Sequence, residues 1–411
     1  VFYGGDLQGI INKLPYLSEL GITFLYLTPI FLSTSAHKYN TDDYFTVDPH
    51  FGDTETLKTL VSRCHKRGIR VILDGVFNHC GENFFAFQDV VKNGSRSRYK
   101  DWFFLNGYPV DVKEVNYLTF ADKLEYMPKL NTSNPEVMDY LLKVAGYWTK
   151  EAKIDGWRLD VCDEVSHTFW KKFRRYIKSI RSETVVMGEI HHQSNAFMRG
   201  DELDGIMNYP LYDAVLDYFA KRKISGRRFA DEIASKRMLY PDSMNRNMLN
   251  LIDSHDTERF LTSCGGRPER LKLAEVFQFT YIGIPYLYYG DEIGLDGGND
   301  PECRKCMPWK KDEEDRDLFK FYSKLIQIRK ENLTLVYGGY RQLSVSGLFA
   351  YERVSGGDRI AVILNNAGET VPLHEKKLCG RYTDLWTGRP AELKPGAEFS
   401  PDSFRILRRV P

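Results

Sequence analysis

Asp155-Gly-Trp-Arg-Leu-Asp160 is the stretch from which the fold can be read. It is a short strand-like run, with Arg158 and Asp160 two positions apart and so on one face. An amphipathic helical stretch, His167 to Ile180, follows, and then a second strand-like run, Thr184-Val-Val-Met-Gly-Glu189. Asp160 and Glu189 are 29 positions apart, about the length of one βα unit. The same alternation extends in both directions. Further runs are Thr23 to Leu27, Arg70 to Asp74, Gly205 to Tyr209, Met248 to Asp253 and Ile284 to Tyr289. Helical periodicity marks Asp6 to Leu20, Asp53 to Arg67, Pro135 to Glu151, Gly226 to Met238, Arg267 to Thr280 and Asp315 to Lys330.

Short strands alternating with helices predict an α/β fold with a parallel sheet. A doubly wound open sheet would show a glycine-rich phosphate loop, and neither GxGxxG nor GxxxxGKS occurs. The expectation is therefore a (β/α)8 TIM barrel in which seven strands are visible and the first is not. Asp74 and Asp160 are 86 positions apart, which predicts an inserted domain at 78–130, between strand 3 and helix 3 at the carboxyl end of a strand. Residues 1–77 and 131–335 are expected to form the barrel. From about Val336 the period changes to two, with runs at Gly347 to Glu352, Arg359 to Leu364 and Ser403 to Leu407, so 336–411 is expected to be a C-terminal antiparallel β-sandwich domain.

The 411 residues carry 42% hydrophobic and 14% aromatic side chains, enough for a large core, which excludes a disordered chain. With 57 basic and 56 acidic residues there is no overall field to attract nucleic acid or an anionic membrane. The longest apolar stretch, Gly21 to Leu32, is interrupted by Pro29 and is too short to span a bilayer. Seven scattered cysteines read as reduced thiols, and Cys303-x-x-Cys306 has no second pair at zinc-site spacing. With no secretory signal visible, a cytoplasmic location is expected. A chain opening at Val1 is also expected to be preceded by further residues.

Acids stand at three strand ends: Asp160, Glu189 and Asp256, in the company of Arg158, His79 and His255. A single acid there could be a helix cap. Three together suit retaining glycoside cleavage, in which a nucleophile and a general acid flank the scissile bond about 5 Å apart. Arg158 is expected to hold Asp160 ionised as the nucleophile, while Glu189, between Met187 and Ile190, suits the acid that needs a raised pKa. Asp256 suits a stabiliser of the oxocarbenium-like charge.

Asp74-Gly-Val-Phe-Asn-His79, Gly156-Trp-Arg-Leu-Asp160, Gly188-Glu189 and Ser254-His-Asp256 resemble the four ordered motifs of the α-amylase superfamily of glycoside hydrolases. Met127-Pro-Lys-Leu-Asn131 resembles the additional motif of its neopullulanase, cyclomaltodextrinase and maltogenic amylase branch. The resemblance implies Asp160 as nucleophile, Glu189 as proton donor and Asp256 as transition-state stabiliser. It implies that Tyr44 stacks on the sugar, that Arg158, His79 and His255 contact it, and that Asp300 and Arg304 hold the substrate beyond it. The implied activity is hydrolysis of α-1,4-glucosidic bonds in cyclomaltodextrins, pullulan or maltooligosaccharides through a covalent glycosyl-aspartate. Transglycosylation on the same substrates and non-catalytic glycan binding are the alternatives. No organic cofactor is expected.

Two departures from the family pattern matter. Gly4 and Asp6 match two ligands of a structural calcium site whose other ligands lie in a region, with a dimer-forming β domain, that would precede this chain. Calcium and a homodimer are therefore expectations tied to such a region. The second departure is His191, which stands where the branch carries a Trp and bears on acceptor preference.

Overall fold

The computed structural model describes residues 3–309 and 316–410. They fall into two compact units, the first comprising residues 3–18, 22–190 and 194–206 and the second residues 19–21, 191–193, 207–309 and 316–410.

In the first unit, strands β1 (Phe24–Leu27), β4 (Arg70–Gly75), β5 (Gly156–Leu159) and β6 (Val185–Ile190) are parallel neighbours in that order. Between β1 and β4 lies an antiparallel hairpin of β2 (Phe31–Ser33) and β3 (Thr41–Val47). Strand β7 (Gly205–Asn208) follows β6 in the sheet and passes from the first unit into the second. There β8 (Leu249–Asn250) and β9 (Ile284–Pro285) continue the parallel order. All seven runs expected as parallel strands are strands, and the seven are hydrogen-bonded in chain order.

The helices form for local reasons that the sequence carries. Pro135–Glu151 begins after Asn134, whose side chain accepts from the Glu136 and Val137 amides, and Pro135 takes the first turn, where no amide is needed. Asp53 caps Thr54–His65 through the Thr56 amide at 2.7 Å. His167–Ile180 buries Phe169, Trp170, Phe173 and Ile177, one stripe at helical spacing. These rings pack with Phe77 and Trp157 under the strand ends, with Phe77 and Trp157 centroids 5.8 Å apart. The helix expected from Asp315 is described from Arg316 to Glu331, since Asp315 lies outside the described residues.

Within 78–130 the chain forms one α-helix, Phe85–Asn93, two short 3-10 turns at Gly94–Arg96 and Lys100–Trp102, and isolated antiparallel bridges such as His79 with Lys129 and Phe103 with Leu130. In the second unit, β10 (Gly339–Ser344), β11 (Phe349–Ser355) and β12 (Asp358–Asn365) run as a meander. β12 pairs with β17 (Ser403–Arg409), which pairs with β14 (Gly380–Asp384) and through it β15 (Pro390–Leu393). β13 (Val371–Pro372) and β16 (Glu398–Phe399) make a separate pair. Arg353, fully buried on β11, donates to the carbonyls of Thr280, Tyr281, Leu335 and Gly338, which ties the end of the helix Pro268–Thr280 to this sheet. Among the described residues no helix is long and apolar enough to cross a membrane.

Candidate active site

In the first unit the exits of three neighbouring strands converge on one guanidinium. Arg158, on β5, is 2% exposed and its Nη1 reaches Asp74 at 2.9 and 3.0 Å and Asp160 Oδ1 at 2.7 Å. Its Nη2 stands 2.8 Å from Glu189 Oε1 on β6. The register explains the gathering: Asp74 is opposite Arg158 and Arg158 opposite Met187, so the acids come off adjacent strands at one level.

Glycines let the strands approach this closely. A Cβ on Gly188, next to Glu189, would stand 2.6 Å from Cys162 Sγ and 2.7 Å from Leu203 Cδ1. One on Gly156 would meet the Val185 carbonyl oxygen at 2.8 Å. Immediately after Asp160 the backbone turns sharply: Val161 has φ 43 and ψ 46, a left-handed conformation costly for a β-branched residue. That turn directs the Val161 amide to Glu189 Oε2 at 3.0 Å.

Charge counting sets the electrostatics. Three buried carboxyl groups share one buried cation, so they cannot all be ionised without excess negative charge in a poorly solvated place. Burial pushes the Asp160 carboxyl well up from its ordinary value; the Arg158 guanidinium opposes the rise, and Glu189 and Asp74 add to it. Asp74 is raised too, by burial first and against the pull of Arg158 and the Tyr26 hydroxyl. Arg158 favours the ionised form of Asp160, as expected, but it is divided among three acids and burial opposes it.

The aromatic residue against these acids is not the expected one. Tyr44 is fully buried, its hydroxyl donates to the Val76 and His79 carbonyls at 2.8 Å, and its ring is enclosed by Phe77, Phe84 and Tyr140. It has no face free to stack on a sugar. Tyr39 and Tyr26, both half-buried, instead donate to Asp74 Oδ2 at 3.1 and 2.6 Å, and Arg158 lies 5.9 Å from each ring centroid. His79 is buried and neutral, its pKa pushed down to about 3 by desolvation. Its Nε2 donates to the Tyr39 carbonyl at 3.0 Å and its ring stacks on Phe120.

The second unit holds the remaining expected residues together. Asp256, a third exposed at its side chain, has Oδ2 at 3.1 Å from His255 Nε2 and Oδ1 at 3.4 Å from Arg304 Nη2. Arg304 Nε lies 3.3 Å from Asp300. Ser254 Oγ accepts the Asp256 amide at 3.1 Å and lies 3.2 Å from the Tyr209 hydroxyl. His191 stacks on Tyr209 with ring centroids 3.8 Å apart. Asp74, Tyr26 and Tyr39 were not among the residues expected in the site, although Asp74 opens the motif Asp74-Gly-Val-Phe-Asn-His79. The motif carried a signal for Asp74, and nothing in the sequence marked Tyr26 and Tyr39 as its partners.

Asp6 Oδ1 accepts the Gly9 amide at 2.5 Å, so it works as a cap of the helix Leu7–Leu20. Gly4 and Asp6 alone do not make a calcium site, and among the described residues no group of three or more His, Cys, Asp or Glu is placed to hold a metal.

Residues 3–315 match the alpha-amylase catalytic domain. The chain is 55% identical over 412 aligned residues to a cyclomaltodextrinase of Thermoanaerobacter pseudethanolicus, covering 99% of this chain and 71% of that one. It is 48% identical to neopullulanase 2 of Thermoactinomyces vulgaris, covering 96% and 68%. A solved cyclomaltodextrinase superposes with a TM-score of 0.90 at 44% identity, covering 98% of this chain and 71% of that chain. The chain thus spans about seven tenths of the length of these relatives. The order of parallel strands, the acids gathered at their exits and these likenesses agree, and the chain belongs to the alpha-amylase family of glycoside hydrolases.

Proposed function

We propose that this chain hydrolyses α-1,4-glucosidic bonds in cyclomaltodextrins, pullulan or maltooligosaccharides with retention of configuration, the first two being the substrates in the names of its relatives. Asp160 attacks the anomeric carbon while Glu189 gives its proton to the departing glycosidic oxygen. The glycosyl-aspartate is then opened by water, from which Glu189 takes a proton. Asp256 stabilises the positive charge that develops on the sugar ring in both steps. Tyr39 takes the sugar contact expected of Tyr44, and His255, Asp300 and Arg304 hold neighbouring hydroxyls. His79 acts on the sugar through Tyr39.

One observation carries this reading: Asp160 and Glu189 are held by the two ends of the same guanidinium. A nucleophile must lose and an acid must keep a proton at one pH, and a coupled buried group of acids around a single cation supplies that division. Intact carboxylates speak for catalysis over simple glycan binding. A cytoplasmic setting is in keeping with seven scattered cysteines that read as reduced thiols.

The test is to trap the intermediate. Glu189→Gln incubated with α-maltosyl fluoride, whose leaving group needs no acid, should accumulate one glycosyl unit on the peptide that contains Asp160. A glycosylated peptide elsewhere, or fluoride release with no adduct in the first turnover, overturns the assignment.

A further inference from the structure

A second buried polar cluster, distinct from the one around Arg158, lies in the second unit around Arg259. This side chain is fully buried. Its Nε donates to the Cys303 carbonyl at 2.9 Å and its Nη1 to the Tyr289 carbonyl at 2.6 Å and to Asp291 Oδ1 at 3.0 Å. Its guanidinium lies 3.9 Å from the Tyr288 ring centroid and 4.7 Å from that of Tyr289. Its own amide donates to the Gly297 carbonyl at 3.0 Å. Arg259 therefore grips the loop 289–303 at three backbone carbonyls and one carboxylate.

That loop and the turn after β8 are joined at further points near Arg259. The Gly297 amide donates to Thr262 Oγ1 at 2.9 Å, and Cys303 Sγ lies 3.5 Å from the His255 carbonyl. Gly297 has no room for a side chain, since a Cβ there would stand 2.5 Å from the Glu302 carbonyl oxygen. The clamped loop ends in Arg304, whose guanidinium reaches Asp256. On the other side Asp253, at the end of the run that leads to Asp256, accepts the Phe260 amide at 2.8 Å. Burial raises the carboxyls of Asp253 and Asp291, and the Arg259 guanidinium opposes the rise in both, so the same cation serves the acids on either side of the clamp.

We propose that Arg259 is a positioning residue for the proposed transition-state stabiliser: by clamping 289–303 against 253–262 it sets where Arg304 holds Asp256. This rests on the reading of Asp256 given above. A planar fork suits the task, because it can donate in several fixed directions at once, which an ammonium cannot.

The experiment compares Arg259→Met, Arg259→Lys, Arg304→Ala, Asp256→Asn and the double variant Arg259→Met/Arg304→Ala in the full-length protein, on β-cyclomaltodextrin and on α-maltosyl fluoride. Arg259→Met is expected to lower kcat about 30-fold with KM changed less than about threefold, because the interaction lost acts in the transition state. Arg259→Lys should recover part of the loss. The double variant should be no slower than the slower single variant, since both act through one loop. Hydrogen exchange should quicken in peptides from 296–306 and stay unchanged in the helix Pro268–Thr280. Multiplying effects in the double variant, or an unchanged kcat in a folded Arg259→Met or Arg259→Lys, overturns the proposal. Full activity in Asp256→Asn refutes instead the reading on which it rests. If Arg259→Met does not fold, the Arg259→Lys exchange pattern and kcat decide.

Discussion

Arg158 and Asp160 are two residues apart along β5 and its exit, and their side chains meet at 2.7 Å in a place where each is almost wholly buried. The contact is one arm of a cation that also serves Asp74 and Glu189. Replacing Arg158 with Met would take from three acids the cation they share, and a buried pair broken from one side costs about 3–5 kcal/mol. Urea unfolding of Arg158→Met should show a loss of this order, with activity gone. Arg158→Lys keeps the charge but not the fork, and should fold with kcat reduced roughly 100-fold. A folded Arg158→Met of unchanged stability would mean the acids are held by something else.

The direction of the pKa shifts gives a stability profile. Asp74 and Asp160 hold their protons more tightly when folded than when unfolded. Such acids add stability below the ordinary carboxylate range, and that contribution is lost as the pH rises through their raised native values. Asp74→Asn cannot ionise, so its unfolding free energy should fall less steeply than that of the parent as the pH rises from the ordinary carboxylate range through the raised native value. Parallel curves for the two proteins would refute the shared-proton account of the cluster.

Tyr39 and Tyr44 should separate activity from stability. Tyr39→Phe removes a donor to Asp74 and should lower kcat about 10-fold with little change in melting. Tyr44→Phe leaves two buried carbonyls without their donor and should cost about 1–2 kcal/mol of stability while kcat holds within a factor of about two. The reverse pattern, a kinetic defect in Tyr44→Phe alone, would restore Tyr44 to the sugar site.

How much of this was legible in the sequence depended on how local the determinant was. The helices Pro135–Glu151, His167–Ile180 and Gly226–Met238 have the bounds that their periodicity and flanking residues indicate. Their caps and apolar stripes are short-range features. The acids at strand exits were visible because strand and helix alternate around them. The hairpin β2–β3 was not foreseen: its register shifts twice, and Thr41–Val47 has no clean alternation to betray a strand. Tyr39 and Tyr44 are five positions apart and chemically alike, and only tertiary packing distinguishes the tyrosine against Asp74 from the one enclosed among Phe77, Phe84 and Tyr140. The Arg259 cluster joins residues up to 44 positions apart through backbone carbonyls, which leave no trace in residue type.

Gly188 tests how finely the acid is placed. Adding one methyl in Gly188→Ala would press on Cys162 and Leu203, and small-to-large changes in packed sites cost about 1–3 kcal/mol. Displacing Glu189 along with it should cut kcat by about 100-fold. Pairing the change with Cys162→Ala opens space on one side and should return part of the rate, measured on β-cyclomaltodextrin. No recovery would place the damage elsewhere than at Glu189.

The retaining use of Asp160 and Glu189 is tested most directly by following the anomeric proton of the first product by NMR as the full-length protein opens β-cyclomaltodextrin. Two displacements at the same carbon, first by Asp160 and then by water, predict that the α-anomer appears first and relaxes to the mixture. Initial β-anomer would mean a single displacement by water, and Asp160 would not be the nucleophile.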